Sequence, residues 1–237
     1  MEKWQEAFWL AKTEWKASIK NFLIFLVVFV ISFLLIKSTI PGYLEEASMG
    51  LDFFFTLTFS GFLSQLARPK DFQLQKYRSI RYAAPFLTAL NQLPIQKGVI
   101  IKYRFLTYLF LLIMFNGLLL LLLYPAFQQE MTLSSYLSFS LIWFCFGIYI
   151  GCVTPAFEAG SNVGWNIFYG LIIGPCLFFV YIFVFYKWYN DGLVSWTIEI
   201  ANKYPILSIT ISLILSIIGW KFWMNIMLQK INRTDYL

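Results

Sequence analysis

FLTYLFLLIMFNGLLLLLLYPAF, residues 105–127, carries no charged side chain. The hydrocarbon core of a bilayer is about 30 Å thick, so a helix needs about 20 apolar residues in a row to cross it. This stretch is long enough, and five further apolar runs stand at 22–40, 51–66, 133–153, 165–186 and 204–223. Across the 237 residues, 59% are hydrophobic and 13% charged, far from the balance of a soluble domain. The expected fold is an all-α membrane protein with six transmembrane helices. The run at 51–66 is the shortest and holds Asp52 near one end.

Lys and Arg set the orientation, because short loops rich in them stay in the cytoplasm. Fifteen of the 18 lie in the N-terminal segment, the connection between the second and third runs, and the C-terminal tail. The other side holds only Lys37, Lys187 and Lys203. Six spans with this bias place both termini in the cytoplasm of a multi-pass protein, expected in the plasma membrane of a bacterial cell. The formal charge of +6 then meets anionic headgroups, and no nucleic-acid partner is expected. Cys145, Cys152 and Cys176 make no redox framework. The first two sit seven residues apart on one helical face, too far to bridge.

Residues 1–20 read as an amphipathic helix and residues 21–237 as one membrane domain. Trp4, Ala7, Phe8, Ala11, Trp15, Ser18 and Ile19 share a face at 100° per residue. Lys12, Lys16 and Lys20 flank it, while Trp9 and Leu10 interrupt the pattern. A Trp-bearing face beside Lys suits a helix lying in the membrane interface, with Trp4, Phe8, Trp15 and Ile19 toward the lipid. Packing on a soluble partner is the alternative.

The connection from 67 to 103 carries the most specific signal. After a basic stretch, Phe86, Leu90 and Leu93 fall at helical spacing, and Pro94 should end that helix. Apolar residues so placed need a cover: lipid, the protein's own core, or another polypeptide. Leu90, Leu93, Pro94, Ile95, Lys97 and Ile100 resemble the ABC-2 type permeases, the membrane subunits of ATP-binding cassette exporters. The resemblance spans the chain in layout but only 86–100 in motif.

The resemblance implies that the short helix is a coupling helix seated in a groove of the ATPase. Phe86, Leu87, Leu90, Leu93, Pro94, Ile95 and Lys97 map onto it and its exit. Glu158, the sole charge in the fourth–fifth connection, is either a minor second coupling contact or a solvated loop charge. The chain has no G-x-x-x-x-G-K-[ST] run for phosphates. ATP and Mg are therefore expected on a partner ATPase dimer, with no cofactor in this chain. A second copy or a related permease would complete the pathway, among membrane lipids.

Gly147 with Gly151 and Gly170 with Gly174 make two G-x-x-x-G pairs for close helix packing. Contact between the fourth and fifth spans is the expected use. Pro175 should bend the fifth span. In the 187–203 connection, Leu193, Trp196, Ile200 and Ala201 recur at near-helical spacing. The resemblance implies short external helices here that dip into the outer leaflet and cap the pathway; a Trp-anchored interfacial loop is the alternative. Asp52 is expected to face water, and no acid or base is expected in the membrane interior, which argues against a proton-driven carrier.

Rival functions are an intramembrane enzyme, a channel or secondary transporter, and a non-transporting binding or immunity scaffold. The chain has no His, which removes His-based zinc sites and general bases. Glu45 and Glu46 resemble the start of an intramembrane protease motif, but no Arg follows and they lie in an external loop. Enzyme activity within the chain is not expected.

Overall fold

The computed structural model describes residues 2–78, 81–162, 180–181 and 183–233. It is almost wholly helical. Helix α1 (Glu2–Ser18) passes through a tight turn, Ile19–Asn21, into α2 (Phe22–Glu45). Then come α3 (Met49–Phe59), α4 (Pro85–Gln92) and α5 (Lys97–Leu112). A widened π-helical turn, Ile113–Gly117, joins α5 to α6 (Leu118–Phe127). Helix α7 (Leu133–Gly151) runs into the short α8 (Val153–Glu158), and α9 (Leu193–Lys203) precedes the long α10 (Pro205–Arg233). A small antiparallel sheet orders β1 (Gln75–Arg78), β2 (Arg81–Ala83) and β3 (Ser161–Asn162), tying the two basic-side connections together.

Four of these stretches are long and apolar enough to cross a membrane: Lys3–Glu45, Lys97–Phe127, Leu133–Glu158 and Pro205–Arg233. Their outward faces are apolar too. Leu23, Ile31 and Leu34 on α2, and Ile206, Ile214 and Phe222 on α10, are all exposed. In a soluble protein such a surface would aggregate; against lipid tails it is the ordinary one. The chain is an α-helical membrane protein.

The run at 51–66 is not one helix, contrary to expectation. Ser48 caps its start, accepting from the Leu51 amide, and α3 then stops at Phe59. Gly61 adopts φ +79, a left-handed conformation that glycine takes without a Cβ penalty. A 3-10 turn, Leu63–Ala67, follows. A helix ending inside apolar surroundings leaves carbonyls unpaired, and side chains of the third run take them. Asn116 Nδ2 donates to the Phe59 carbonyl at 2.9 Å, and the Tyr108 hydroxyl lies 3.3 Å from that of Ser60 and 2.6 Å from that of Gly147.

This junction also decides how the glycines pack. A Cβ on Gly147 would stand 2.7 Å from the Phe59 carbonyl, and one on Gly151 would overlap the Tyr108 hydroxyl and the Ser60 carbonyl. The fourth run thus uses its glycines against the end of α3 and the side chains of α5, within one chain. The fifth span was the expected neighbour. Gly170, Gly174, Pro175 and Cys176, with most of the run at 165–186, lie outside the described residues. Cys145 and Cys152 are buried free thiols.

Two buried cores stack along the bundle. One gathers Ile36, Phe55, Phe59, Phe115, Phe139 and Trp143, with Val194 of α9 at its end. The other, at the basic end, joins Ala7 and Ala11 of α1, Leu87 of α4, Tyr103 and Tyr108 of α5, Ala156 of α8 and Met227 of α10.

A buried four-charge network as the candidate functional site

Helix α1 lies along α5. Ala7, Leu10, Ala11 and Glu14 are its buried stripe, each at most 7% exposed. Leu10, which seemed to break the amphipathic pattern, belongs to the true inner face. Trp4, Phe8 and Ile19 are exposed on the outer one. Trp15 stacks at 4.3 Å between centroids on Phe110 and meets Phe8 edge-on, and Lys102 sits 4.5 Å from the Trp4 ring. The inner face of the helix is therefore covered by the protein itself, neither by lipid nor by a separate soluble partner.

Glu14 is fully buried at the end of that stripe. Around it converge Arg68, which caps the 3-10 turn after α3, Tyr103 and Arg104 on the inner face of α5, and Glu158, the last residue of α8. Arg68 Nε donates to Glu14 Oε1 at 2.6 Å and its Nη1 to Glu158 Oε1 at 2.5 Å. Arg104 Nη1 donates to Glu14 Oε2 at 2.9 Å and its Nε to Glu158 Oε2 at 2.9 Å. Arg104 Nη2 also reaches Glu158, Arg68 Nη2 reaches the Phe72 carbonyl, and the Tyr103 hydroxyl donates to Glu14. Each arginine bridges both glutamates, so the formal charges close to zero in a ring spanning four elements.

Burying such charges is costly unless partners replace water, and here every carboxylate oxygen has a charged donor. Glu14 lies in α1, ahead of the apolar helix α2. Burial alone would raise its carboxyl, but Arg68 and Arg104 outweigh that and hold it below the ordinary carboxylate range. A cavity of about 570 Å³ opens beside Arg68 and Glu158, between residues 62–74 and α8. Glu158 is thus neither a solvated loop charge nor a free surface contact. Arg68 and Arg104, counted by sequence among the loop charges that fix orientation, are core residues.

The ring also anchors the short helix after the sheet. The Ala84 amide at the start of α4 donates to the Glu158 carbonyl at 3.2 Å. Leu87, Thr88 and Leu90 are buried, and the Phe86 ring packs on Phe72 at 4.6 Å and on Tyr103 at 6.1 Å. Of the three covers open to this helix, the protein's own core takes Leu87 and Leu90. Leu93 remains 54% exposed, with Pro94 and Lys97 beside it, while Ile95 packs partly on the basic-end core. Lys97 Nζ donates to Asn232 Oδ1 at 2.8 Å, tying the exit of the helix to the end of α10.

A second buried charge lies at the opposite end. Asp52 is fully buried, not water-facing. Its Oδ1 accepts from the Tyr43 hydroxyl at 2.7 Å and the Val194 amide at 3.0 Å. Its Oδ2 accepts from Tyr181 at 2.7 Å, Tyr186 at 2.5 Å and the Leu193 amide at 2.8 Å. The carboxylate caps the first turn of α9 from another helix, where free amides and the helix dipole favour an anion. The 187–203 connection does form a helix, but its inner face is Val194, Thr197, Ile198 and Ala201, with Leu193, Trp196 and Ile200 half-buried.

The sequence carried hints of both sites. Glu14 falls at the fourth position of a 7, 10, 11, 14 stripe, and Glu158 is alone in its connection. What hid the ring is that its bonded partners are 54 to 90 residues apart. Among the described residues no group of three or more His, Cys, Asp or Glu could hold a metal ion. Comparison with family models, with curated protein sequences and with solved structures finds no match for this chain.

Proposed function

We propose that this chain is the permease subunit of an ATP-driven exporter of the ABC-2 type, working by alternating access with a separate ATPase dimer. In this reading six spans place both termini in the cytoplasm. A second copy or a related permease completes the pathway, and the cargo is an amphipathic peptide, drug or lipid-like molecule. The observation that carries the reading is the seating of α4. Its inner face is fixed on the core through Leu87 and Leu90, while Leu93 and Pro94 stay exposed at its tip. The segment leading into α4 starts at Arg68, and Glu158 bonds its first turn, so a push on the tip would reach α1, α5 and α8 through the charge ring. Such a lever suits a helix that takes force from a moving partner.

The buried charges remove the argument from absence against a proton-driven carrier. The replacement argument is pairing: Glu14 and Glu158 each contact both Arg68 and Arg104. At the basic end the two guanidiniums hold the Glu14 carboxyl below the ordinary carboxylate range, which makes it a poor proton carrier at neutral pH.

The test is affinity purification of the tagged chain from its native membrane in mild detergent, with mass spectrometry and an ATP hydrolysis assay. We expect a stoichiometric P-loop ATPase that is lost in Leu93→Glu. An oligomer free of ATPase would favour a channel or a binding scaffold and overturn the exporter reading.

A further inference from the structure

The elbow between α1 and α2 encloses a cavity of about 330 Å³. Its walls are mostly apolar or aromatic, with Trp15, Ile19, Phe22, Phe25, Phe110 and Met114 among them and Ser18 the one uncharged polar residue. At its rim stand Lys12 and Lys16, one helical turn apart and exposed. Neither makes an ion pair among the described residues, whose ion pairs all belong to the charge ring.

An apolar slot with two unpaired ammonium groups beside it describes one kind of occupant. We propose that this elbow binds a single anionic phospholipid, one acyl chain in the cavity and the phosphate between Lys12 and Lys16. The position fits, because the turn Ile19–Asn21 is where a helix along the surface becomes one that crosses. The inference does not depend on the exporter reading; it needs only a membrane around α2.

Native mass spectrometry of the full chain, titrated with phosphatidylglycerol or with phosphatidylcholine, tests it. One phosphatidylglycerol should remain per chain, bound about tenfold or more tightly than phosphatidylcholine, since each Lys adds attraction to an anionic lipid. Lys12→Gln with Lys16→Gln should abolish that preference. Lys70→Gln with Lys76→Gln, removing the same charge at exposed sites elsewhere, should keep it. Met114→Trp, which fills the cavity and leaves both lysines, should also lose the retained lipid. Loss in the first pair but not in Met114→Trp would mean diffuse attraction to a basic surface and would overturn the site. So would retention in both, or equal binding of the two lipids.

Discussion

The two ends of this molecule bury charge in opposite ways. At one end Asp52 stands alone, met by three tyrosine hydroxyls and two backbone amides, all neutral donors. At the other, two arginines and two glutamates neutralise one another on four elements. The first arrangement is a cap, in which each donor can be lost singly and the damage stays at the start of α9. The second is a closed circuit, in which losing any member strands an unlike charge in the core. The contrast predicts graded, local failure at Asp52 and abrupt, global failure at the ring.

The largest effect should come from opening the circuit. Arg104→Met would leave Glu14 and Glu158 sharing one guanidinium, and removing one partner of a buried ion pair costs about 3–5 kcal/mol. Thermal unfolding in detergent should show that loss. Arg104→Met combined with Glu158→Leu should recover part of it, because the remaining pair, Glu14 and Arg68, is again balanced. A double variant no more stable than the single would show that the ring acts through packing rather than charge. A double-mutant cycle on the same proteins gives the coupling energy directly.

Asp52→Asn is the matched experiment at the opposite end. The amide keeps one acceptor oxygen but turns a donor toward tyrosines and amides that also donate, and the loss of even one bond to a charged group costs about 1.5–3 kcal/mol. Hydrogen exchange should rise at residues 193–195 and stay unchanged in α1 and α5. Exchange that rises at both ends together would dissolve the distinction between local cap and global circuit.

Between the two sites lies the junction of α3, α5 and α7, and Gly151→Ala probes whether it separates them. The new Cβ would meet the Tyr108 hydroxyl and the Ser60 carbonyl, and backbone cannot yield cheaply. Overpacking of this kind costs about 1–3 kcal/mol. Tyr108→Phe in the same chain should return part of the stability by withdrawing the hydroxyl. No return would place the clash on the Ser60 carbonyl instead.

Much of this was legible from residue order, and the illegible part has a physical cause. Apolar length gave the long helices, and Pro85 and Pro94 bracketed α4 closely. Periodicity placed Ala7 and Ala11 on one face of α1 but passed over Glu14, and Leu10 looked like noise because the protein-facing side was taken for the lipid-facing one. In a membrane protein both sides are apolar, so hydropathy alone does not tell them apart. The break at Gly61 was hidden because the residues after it remain apolar. Only the carbonyls taken by Asn116 and Tyr108 reveal why a broken helix is tolerated there. Arg68 and Arg104 were misassigned for a related reason: the rule that sorts Lys and Arg by membrane side counts them without asking whether water reaches them.

The smallest expected change in stability is at Leu93, and that smallness is what makes it useful. The side chain is 54% exposed at the end of α4, and substitutions at such positions usually stay within about 0.5 kcal/mol. Leu93→Glu should therefore unfold at the same temperature as the parent chain while failing to retain an ATPase. Arg104→Met should fail in both, because the ring holds the base of the same helix. If Leu93→Glu loses stability as heavily as Arg104→Met, the tip of α4 is part of the fold rather than a surface offered to a partner. The lever from α4 to the charge ring would then have nothing to push it.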